Sequence, residues 1–255
     1  MKKTLSVIVI AKNEEKNLPE CLKRLKFAGE IILIDNNSTD RTHWVAKKFN
    51  ARIYNYAGMD FSKMRILGAR LGSFNWLLYI DADERVTAEL AKEIKEKLIR
   101  PRQKAAPAAY SLIRRNFYFR RSWPAGENII RLIKKDALIG WSGPVHESPR
   151  INGTVSRLKN PLLHYTHNDL FDMVEKTNLW SETEADLRYK KNHPEVVWWR
   201  FYRVMLTAFF NYFIRQNGFR AGAIGLVESL FQAFSIFITY AKLWERQISP
   251  KAKIA

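Results

Sequence analysis

The chain has 255 residues, a formal net charge of +18 at pH 7 and a hydrophobic fraction of 47%. This length fits one large domain or one domain with an appendage, and the hydrophobic fraction excludes a wholly disordered chain. A single cysteine, Cys21, excludes an intramolecular disulfide and a zinc site built from thiolate pairs, so we expect the chain to fold in a reducing compartment. The positive charge calls for a partner that carries phosphates, such as a nucleotide, a nucleic acid or an anionic membrane.

Apolar runs alternate with amphipathic segments near the start of the chain. Four runs predict buried strands at residues 5–11, 30–35, 51–56 and 76–81, and the segments between them carry apolar stripes at helical spacing. This alternation predicts βαβ units and a mainly parallel sheet flanked by helices. The first run follows two lysines but meets polar residues rather than a cleavage site, so it indicates a strand and not a signal peptide.

The pattern is less regular after residue 100. It predicts strands at residues 108–119, 129–133 and 161–165, a loop at 140–153 and a helix at 169–190 with Asp169 as its N-cap. Residues 100–121 hold seven basic side chains and no acidic one, which fits either a solvated surface or a contact for anions.

From Val196 onward the composition becomes almost entirely aromatic and aliphatic. Three interpretations are open: a transmembrane span, two amphipathic helices in the headgroup region, or a helical hairpin packed on the core. Residues 221–241 have the length of a span but include Glu228 and Gln232, which disfavours spanning. Aromatic and arginine side chains favour the interface. We therefore expect a main domain over residues 1–190 and a helical, membrane-associated appendage over residues 191–255.

Carboxylates follow two of the predicted strands, at the edge where parallel sheets bind their ligands. Asp81 and Asp83 come after the fourth strand, where the pleat should point both side chains to one side. Neighbouring carboxylates repel unless a cation lies beside them, and their oxygens suit Mg²⁺ or Mn²⁺. Asp35 ends the second strand, before residues that can cap a helix. For Asp81 and Asp83 the alternative is a turn with a capping aspartate, and for the segment after Asp35 it is a plain helix cap formed by Ser38 or Thr39.

Three segments, in this order and spacing, resemble the nucleotide-sugar-dependent inverting glycosyltransferases of family two. They are LSVIVIAKNEEKNLPECL, EIILIDNNSTDRT and FSKMRILGARLGSFNWLLYIDADERVT. The stretches GPVHE, LLHYTH and YAKLWE are similar to the subgroup that adds glucose to the inner core of bacterial lipopolysaccharide. The resemblance covers nearly the whole chain. It implies a GT-A-type α/β fold with a Rossmann-like sheet.

The resemblance also implies a role for each matching residue. Lys12, Asn13, Glu14 and Asp35 would line the nucleotide pocket, Asp81 would lie by the ribose and the metal, and Asp83 would coordinate the metal that bridges the diphosphate. His164 would be a further metal ligand and Glu147 the general base for the acceptor hydroxyl. Because negative charge develops on the leaving diphosphate, basic side chains must stabilise it together with the metal, and Lys63, Arg65 and Arg131 are the candidates. Two alternatives stay open: His164 bonded to neighbouring backbone, and Glu147 in a salt bridge to an arginine.

The chain departs from the family pattern at two places. Met64-Arg65-Ile66 stands where relatives often carry Gln-Arg-Asn, so only the arginine is kept. Arg220-Ala221 stands where a Leu-Asp pair is usual, which adds positive charge to the C-terminal region. These differences weaken the expectation for donor contacts near Arg65 and leave room for a different acceptor.

The expected function is a metal-dependent, inverting transfer of a sugar from a nucleotide-sugar donor to a lipid-linked acceptor, such as the lipopolysaccharide core. We expect the sugar to be glucose and the donor to be a UDP-sugar. We expect a peripheral enzyme on the cytoplasmic face of the inner membrane, held by anionic lipids. The alternatives are transfer to polyprenyl phosphate, a nucleotidyltransferase and a non-catalytic basic binding protein. No nucleic-acid-binding motif is visible, so no specific nucleic-acid partner is expected.

Overall fold

The computed structural model describes residues 4–58, 60–99, 107–143, 147–167 and 169–248. The strands are Leu5–Ala11 (β1), Glu30–Asp35 (β2), Arg52–Asn55 (β3), Trp76–Asp81 (β4), Glu84–Val86 (β5), Ala109–Tyr118 (β6), Arg121–Lys134 (β7), Leu138–Ser142 (β8), Ser148–Ile151 (β9), Val155–Arg157 (β10) and Leu162–His167 (β11). The helices are Leu18–Lys23 (α1), Thr42–Lys48 (α2), Phe61–Leu71 (α3), Ala88–Ile99 (α4), Leu170–Lys190 (α5), Trp198–Phe210 (α6) and Ala223–Ile248 (α7).

The main sheet has the strand order β3-β2-β1-β4-β7-β6-β11-β5, with β10 added beside β6. The first four strands are parallel, as the alternating pattern predicts. Strand β7 runs antiparallel to β4, and β11 runs antiparallel to β5, so the sheet as a whole is mixed. The predicted α/β class is confirmed, with the parallel half first in the chain.

Residues 140–153 do not form the predicted loop throughout. Strands β8 and β9 pair there as a separate antiparallel ribbon, while residues 144–146 lie outside the described part of the chain. Trp141 of β8 is buried edge-on against the ring of Tyr79, at a centroid distance of 4.8 Å. Burial of this large side chain outweighs the turn propensity of the glycine, proline and serine residues around it.

The described chain forms two compact units. The first comprises Met1–Arg115 and Gly126–His164, and the second comprises Asn116–Ala125 and Tyr165–Ala255. The predicted boundary at residue 190, between a catalytic domain and a C-terminal appendage, stays a prediction. In the structure α5 belongs to the second unit, because it packs along α7.

The first unit is built around β1, whose seven residues are all buried. Val7 and Val9 join the apolar layer that contains α1, α2 and α4, whereas Ile8 and Ile10 join the layer under α3. A Cβ atom on Gly68 of α3 would overlap the side chain of Ile8, so glycine at this position allows α3 to pack closely on the sheet. This two-layer packing holds the carboxyl ends of β1, β2 and β4 at one edge.

The second unit contains the long helices of the C-terminal region. Asp169 caps α5 by accepting a hydrogen bond from the backbone N–H of Asp172 at 2.8 Å, so the predicted helix and its N-cap are confirmed. Helices α6 and α7 pack on each other, and α5 packs on α7. Among the described helices, α7 is long and apolar enough to cross a membrane, by length and composition.

Candidate active site

Two aspartates flank the carboxyl end of β1. In the sheet register Ala11 pairs with Asp35 of β2, and Ile10 pairs with Asp81 of β4. Because neighbouring strands lie about 5 Å apart, this register separates the two aspartate backbones by roughly 10 Å across β1. The strand order therefore brings together carboxylates that are far apart in sequence, at the edge where parallel sheets bind ligands.

Asp35 is almost fully buried, with 1% of its side chain exposed. Its Oδ2 accepts a hydrogen bond from the backbone N–H of Ser38 at 2.9 Å and lies 3.0 Å from Nε2 of His43. Its Oδ1 is buried and has no hydrogen-bond partner among the described residues. A buried oxygen without a donor is costly. Asp35 is therefore suited to accept a hydrogen bond from a ligand.

The loops after β1 and β2 are tied together by side-chain hydrogen bonds. The backbone N–H of Asn13 donates to Ser38 Oγ at 2.9 Å, and Asn13 Oδ1 accepts from the N–H of Thr39 at 2.8 Å. The N–H of Glu14 donates to Thr42 Oγ1 at 2.9 Å. The structure thus brings Asn13 and Glu14 next to the loop of Asp35, as predicted for one pocket, while the Lys12 side chain is exposed.

Asp81 is held between two buried arginines. Its Oδ1 accepts from Nη2 of Arg65 at 3.0 Å, and its Oδ2 accepts from Nη2 of Arg131 at 2.7 Å. Burial raises the pKa of Asp81, but the guanidinium groups of Arg131 and Arg65 outweigh it and hold that pKa well below its usual range. Asp81 therefore stays ionised. Both carboxylate oxygens of Asp81 bind arginines and neither contact tests metal binding, so the role of Asp81 as a metal ligand stays a prediction.

Glu84 joins the same cluster, and we did not predict it from the sequence. It is fully buried at the start of β5 and accepts hydrogen bonds from the backbone N–H of Asp81 at 2.9 Å and from Arg131 at 3.2 Å. Arg114 lies 3.5 Å from the same carboxylate. Burial raises the pKa of Glu84 above its ordinary value, because it outweighs the lowering by the Arg131 guanidinium. Its only sequence signal was a third acidic residue directly after the two aspartates.

We expect Glu84→Gln to lower the free energy of unfolding by about 3 kcal/mol, because it removes the fully buried carboxylate that Arg114 and Arg131 share. The matched control is Glu127→Gln, which removes the other carboxylate that binds Arg114 but is half exposed. We expect the control to cost less than about 1 kcal/mol. Urea denaturation of both variants measures the difference, and equal costs would show that burial of Glu84 adds nothing.

Asp83 and His164 form a second pair beside Asp81. Oδ2 of Asp83 lies 3.3 Å from Nε2 of His164, and both side chains are largely buried. Burial lowers the pKa of His164, but the Asp83 carboxylate outweighs it and raises that pKa above its ordinary value. No group of three histidine, cysteine or acidic side chains suited to a metal occurs within the described ranges. Carboxylate and imidazole at this spacing nevertheless fit two ligands of one Mn²⁺ or Mg²⁺, with substrate oxygens and water as the others.

Glu147 contacts the other side of Arg65. Its Oε1 accepts from Nε of Arg65 at 2.5 Å, and the guanidinium lies 5.0 Å from the ring centroid of Trp141. The salt bridge foreseen as an alternative for Glu147 is therefore present. It engages one carboxylate oxygen, which leaves the general-base role a prediction. Nη1 of Arg65 and Nε of Arg131 are buried without a partner in the part of the chain that the structure describes.

The remaining basic candidates lie outside this cluster. Lys63 is 69% exposed and pairs with Asp60 at 3.5 Å, so the structure does not bring it to the buried arginines. Of the basic stretch at residues 100–121, residues 100–106 lie outside the described part. Arg114, from the same stretch, is directed to Glu84 and Glu127 rather than to solvent.

Comparison with known proteins identifies the family. The sequence profile of glycosyl transferase family 2 matches residues 6–207, which is most of the chain. The chain belongs to glycosyl transferase family 2. The family and the GT-A-type fold predicted from the sequence are thus confirmed, and the protein is a glycosyltransferase rather than a non-catalytic binding protein or a nucleotidyltransferase.

Several curated relatives match over nearly their full length. An uncharacterized glycosyltransferase of Rickettsia typhi is 28% identical, with 99% of this chain and 91% of the relative covered. The lipopolysaccharide core biosynthesis glycosyltransferase LpsC of Rhizobium meliloti is 26% identical, with 95% and 92% covered. Among solved structures, S. aureus TarS residues 1–349 in complex with UDP-GlcNAc is 12% identical with a TM-score of 0.49, and the match covers 98% and 93% of the two chains.

Proposed function

We propose that this glycosyltransferase transfers a sugar, glucose in the first instance, from a nucleotide diphosphate sugar to an acceptor hydroxyl with inversion at the anomeric carbon. The observation that carries the proposal is the cluster at the carboxyl end of β4. There Asp81 orders two buried arginines beside the Asp83–His164 pair. Such a cluster can hold a diphosphate, whose negative charge grows as the sugar leaves.

The donor site extends from Asp35 to the buried arginines. Asp35 Oδ1 is suited to a hydroxyl or N–H donor of the nucleoside, and Asp35 lies at the end of β2, which only β1 separates from β4. Arg65 Nη1 and Arg131 Nε are unpartnered donors within the described ranges, and a diphosphate oxygen would satisfy them. Asp83 and His164 would hold Mg²⁺ or Mn²⁺, which supplies charge neutralisation on the diphosphate when bound.

Glu147 serves as the general base in this proposal. It takes the proton of the acceptor hydroxyl as the acceptor oxygen forms its bond to the anomeric carbon and the bond from that carbon to the diphosphate oxygen breaks. One displacement from the opposite side inverts the configuration. Arg65 contacts both Asp81 and Glu147, so a diphosphate that attracts Arg65 would weaken its hold on Glu147 and leave that carboxylate free to accept the proton.

The acceptor we propose is lipid-linked, with the lipopolysaccharide core as the first example to test. Support comes from the relative LpsC, which is named for lipopolysaccharide core biosynthesis and matches over 95% of this chain. We expect the enzyme to work on the cytoplasmic face of the inner membrane, where nucleotide sugars and lipid-linked acceptors meet.

A thermal-shift experiment tests the donor and the metal together. A donor that binds only the folded state at about 100 times its Kd adds about 2.7 kcal/mol of stability. For a chain of this size we expect the Tm to rise by about 5 °C or more. UDP-glucose with Mn²⁺ should give this rise, and EDTA should reduce it. GDP-, dTDP- and CMP-sugars are screened in parallel.

The variant Asp35→Asn should abolish the shift, because it removes a buried acceptor charge from the nucleoside site. The exposed Asp136→Asn serves as the control and should keep the full shift. A donor-induced shift that is unchanged in Asp35→Asn would contradict the proposed nucleoside site. No shift with any donor, with or without metal, would contradict the donor class.

A further inference from the structure

Helix α6 presents an apolar stripe that the second unit leaves uncovered. Trp198, Tyr202, Leu206 and Phe210 follow one another at intervals of four residues, and each is exposed by 52% or more. Side chains four residues apart lie on the same side of a helix. None of the residues of α6 is buried within the described structure. A contiguous apolar stripe left exposed on a folded protein is typical of an interaction site.

Arginines accompany the stripe, in a stretch of sequence that contains no acidic residue. Residues 196–227 contain four arginines and no aspartate, glutamate or lysine. All four lie over aromatic rings: Arg200 at 5.8 Å and Arg203 at 5.4 Å from Trp199, Arg215 at 5.9 Å from Phe210 and Arg220 at 5.8 Å from Phe219. We define the aromatic–arginine face as the α6 stripe with Arg203, Arg215, Phe219 and Arg220.

The C-terminal half of α7 is held differently, by contacts within the second unit. Arg246 Nε pairs with Asp186 of α5 at 3.1 Å, and Lys242 Nζ donates to the backbone carbonyl of Asn178 at 2.6 Å. Tyr240 and Leu243 are buried in the same interface. A helix that crossed the bilayer would place these charged contacts, and the α5 segment that makes them, in or beside the membrane. Helix α7 therefore packs between α5 and α6 and supports α6.

We propose that the aromatic–arginine face docks on the surface of an anionic lipid bilayer, with α6 in the headgroup region and α7 not spanning. Arginine and aromatic side chains both favour this region, and the excess positive charge is complementary to anionic headgroups. A second copy of the chain fits less well, because it would bring two sets of arginines together without a carboxylate. The proposal concerns the second unit alone and does not rest on the transfer chemistry.

Vesicle sedimentation with the full chain tests the proposal. We expect binding to vesicles of phosphatidylglycerol and phosphatidylcholine, weaker binding to phosphatidylcholine alone, and weakening by salt. The triple variant Arg203→Gln, Arg215→Gln, Arg220→Gln should lower the partition coefficient on anionic vesicles about 100-fold. The triple variant Trp198→Ser, Tyr202→Ser, Leu206→Ser should lower binding to both kinds of vesicle at least tenfold.

The matched control removes three exposed charges from the first unit, by Arg24→Gln, Lys47→Gln and Lys92→Gln. We expect less than a threefold effect from it. An effect equal to that of the other arginine variant would overturn the proposal, because binding would then follow net charge alone. Resistance of membrane-bound protein to alkaline carbonate would also overturn it, since that result indicates a spanning helix. A dimer that the serine variant dissociates, without loss of vesicle binding, would assign the face to a second copy.

Discussion

Replacing Glu147 with glutamine should lower kcat by about 10²- to 10⁴-fold, the range that a general base contributes. Glutamine keeps the size of the side chain and can still accept the hydrogen bond from Arg65 Nε, so the fold and the position of Arg65 should persist. The loss should appear in kcat, while the affinity for the donor changes little. Single-turnover kinetics with the identified donor and acceptor measures this separation.

The matched control is Glu127→Gln, which also removes a carboxylate paired with an arginine. It should leave kcat within about twofold of the unchanged enzyme. A normal kcat in Glu147→Gln would show that the pair with Arg65 is purely structural. A folded, donor-binding but inactive variant would also argue against polyprenyl phosphate as acceptor, since a phosphate acceptor has no need of a hydroxyl-activating base.

Replacing Asp83 with asparagine should lower kcat/KM by about 10²- to 10³-fold, as expected when one element that stabilises leaving-group charge is lost. Asp83 lies 3.3 Å from His164, and we expect these two side chains to share one cation. The affinity for Mn²⁺ should therefore fall together with the rate. Electron paramagnetic resonance of free Mn²⁺ measures that affinity without any need for turnover.

The variant His164→Gln should also lower the affinity for Mn²⁺, although by less than Asp83→Asn does. The control Glu96→Gln, at an exposed position on α4, should leave the affinity for Mn²⁺ unchanged. The metal assignment would be wrong if Asp83→Asn bound Mn²⁺ as tightly as the unchanged protein. A loss of activity with intact Mn²⁺ binding would instead point to a role for Asp83 in ordering the turn after β4.

The local sequence pattern was sufficient to predict the parallel half of the main sheet. Strand β1 alternates side chains between two apolar layers, and each layer includes a helix, α1 or α3, whose apolar stripe is visible in the sequence. The positions of Asp35 and Asp81 at strand ends follow from the same pattern. Asp169 at the start of α5 was predictable because an N-cap depends on residues within one turn.

The charge cluster around Asp81 could not be predicted in the same way. Arg65 and Arg131 lie 16 and 50 positions from Asp81 in sequence, and their pairing depends on α3 and β7 being placed beside β4. The burial of Glu84 depends on the same placement. The negative charge of the leaving diphosphate made Arg65 and Arg131 candidates, but neither that charge nor the residue pattern indicated that Asp81 would bind both.

The sequence by itself determined the family, the alternating strands and helices, and the polar residues that end each strand, because these follow from short-range periodicity and matching motifs. The tertiary structure alone decided which charges meet, that β8 and β9 pair as a ribbon, and that the α6 stripe is exposed while the end of α7 is packed on α5. The physical reason is that burial and ion pairing depend on contacts between segments distant in the chain, which no local pattern specifies.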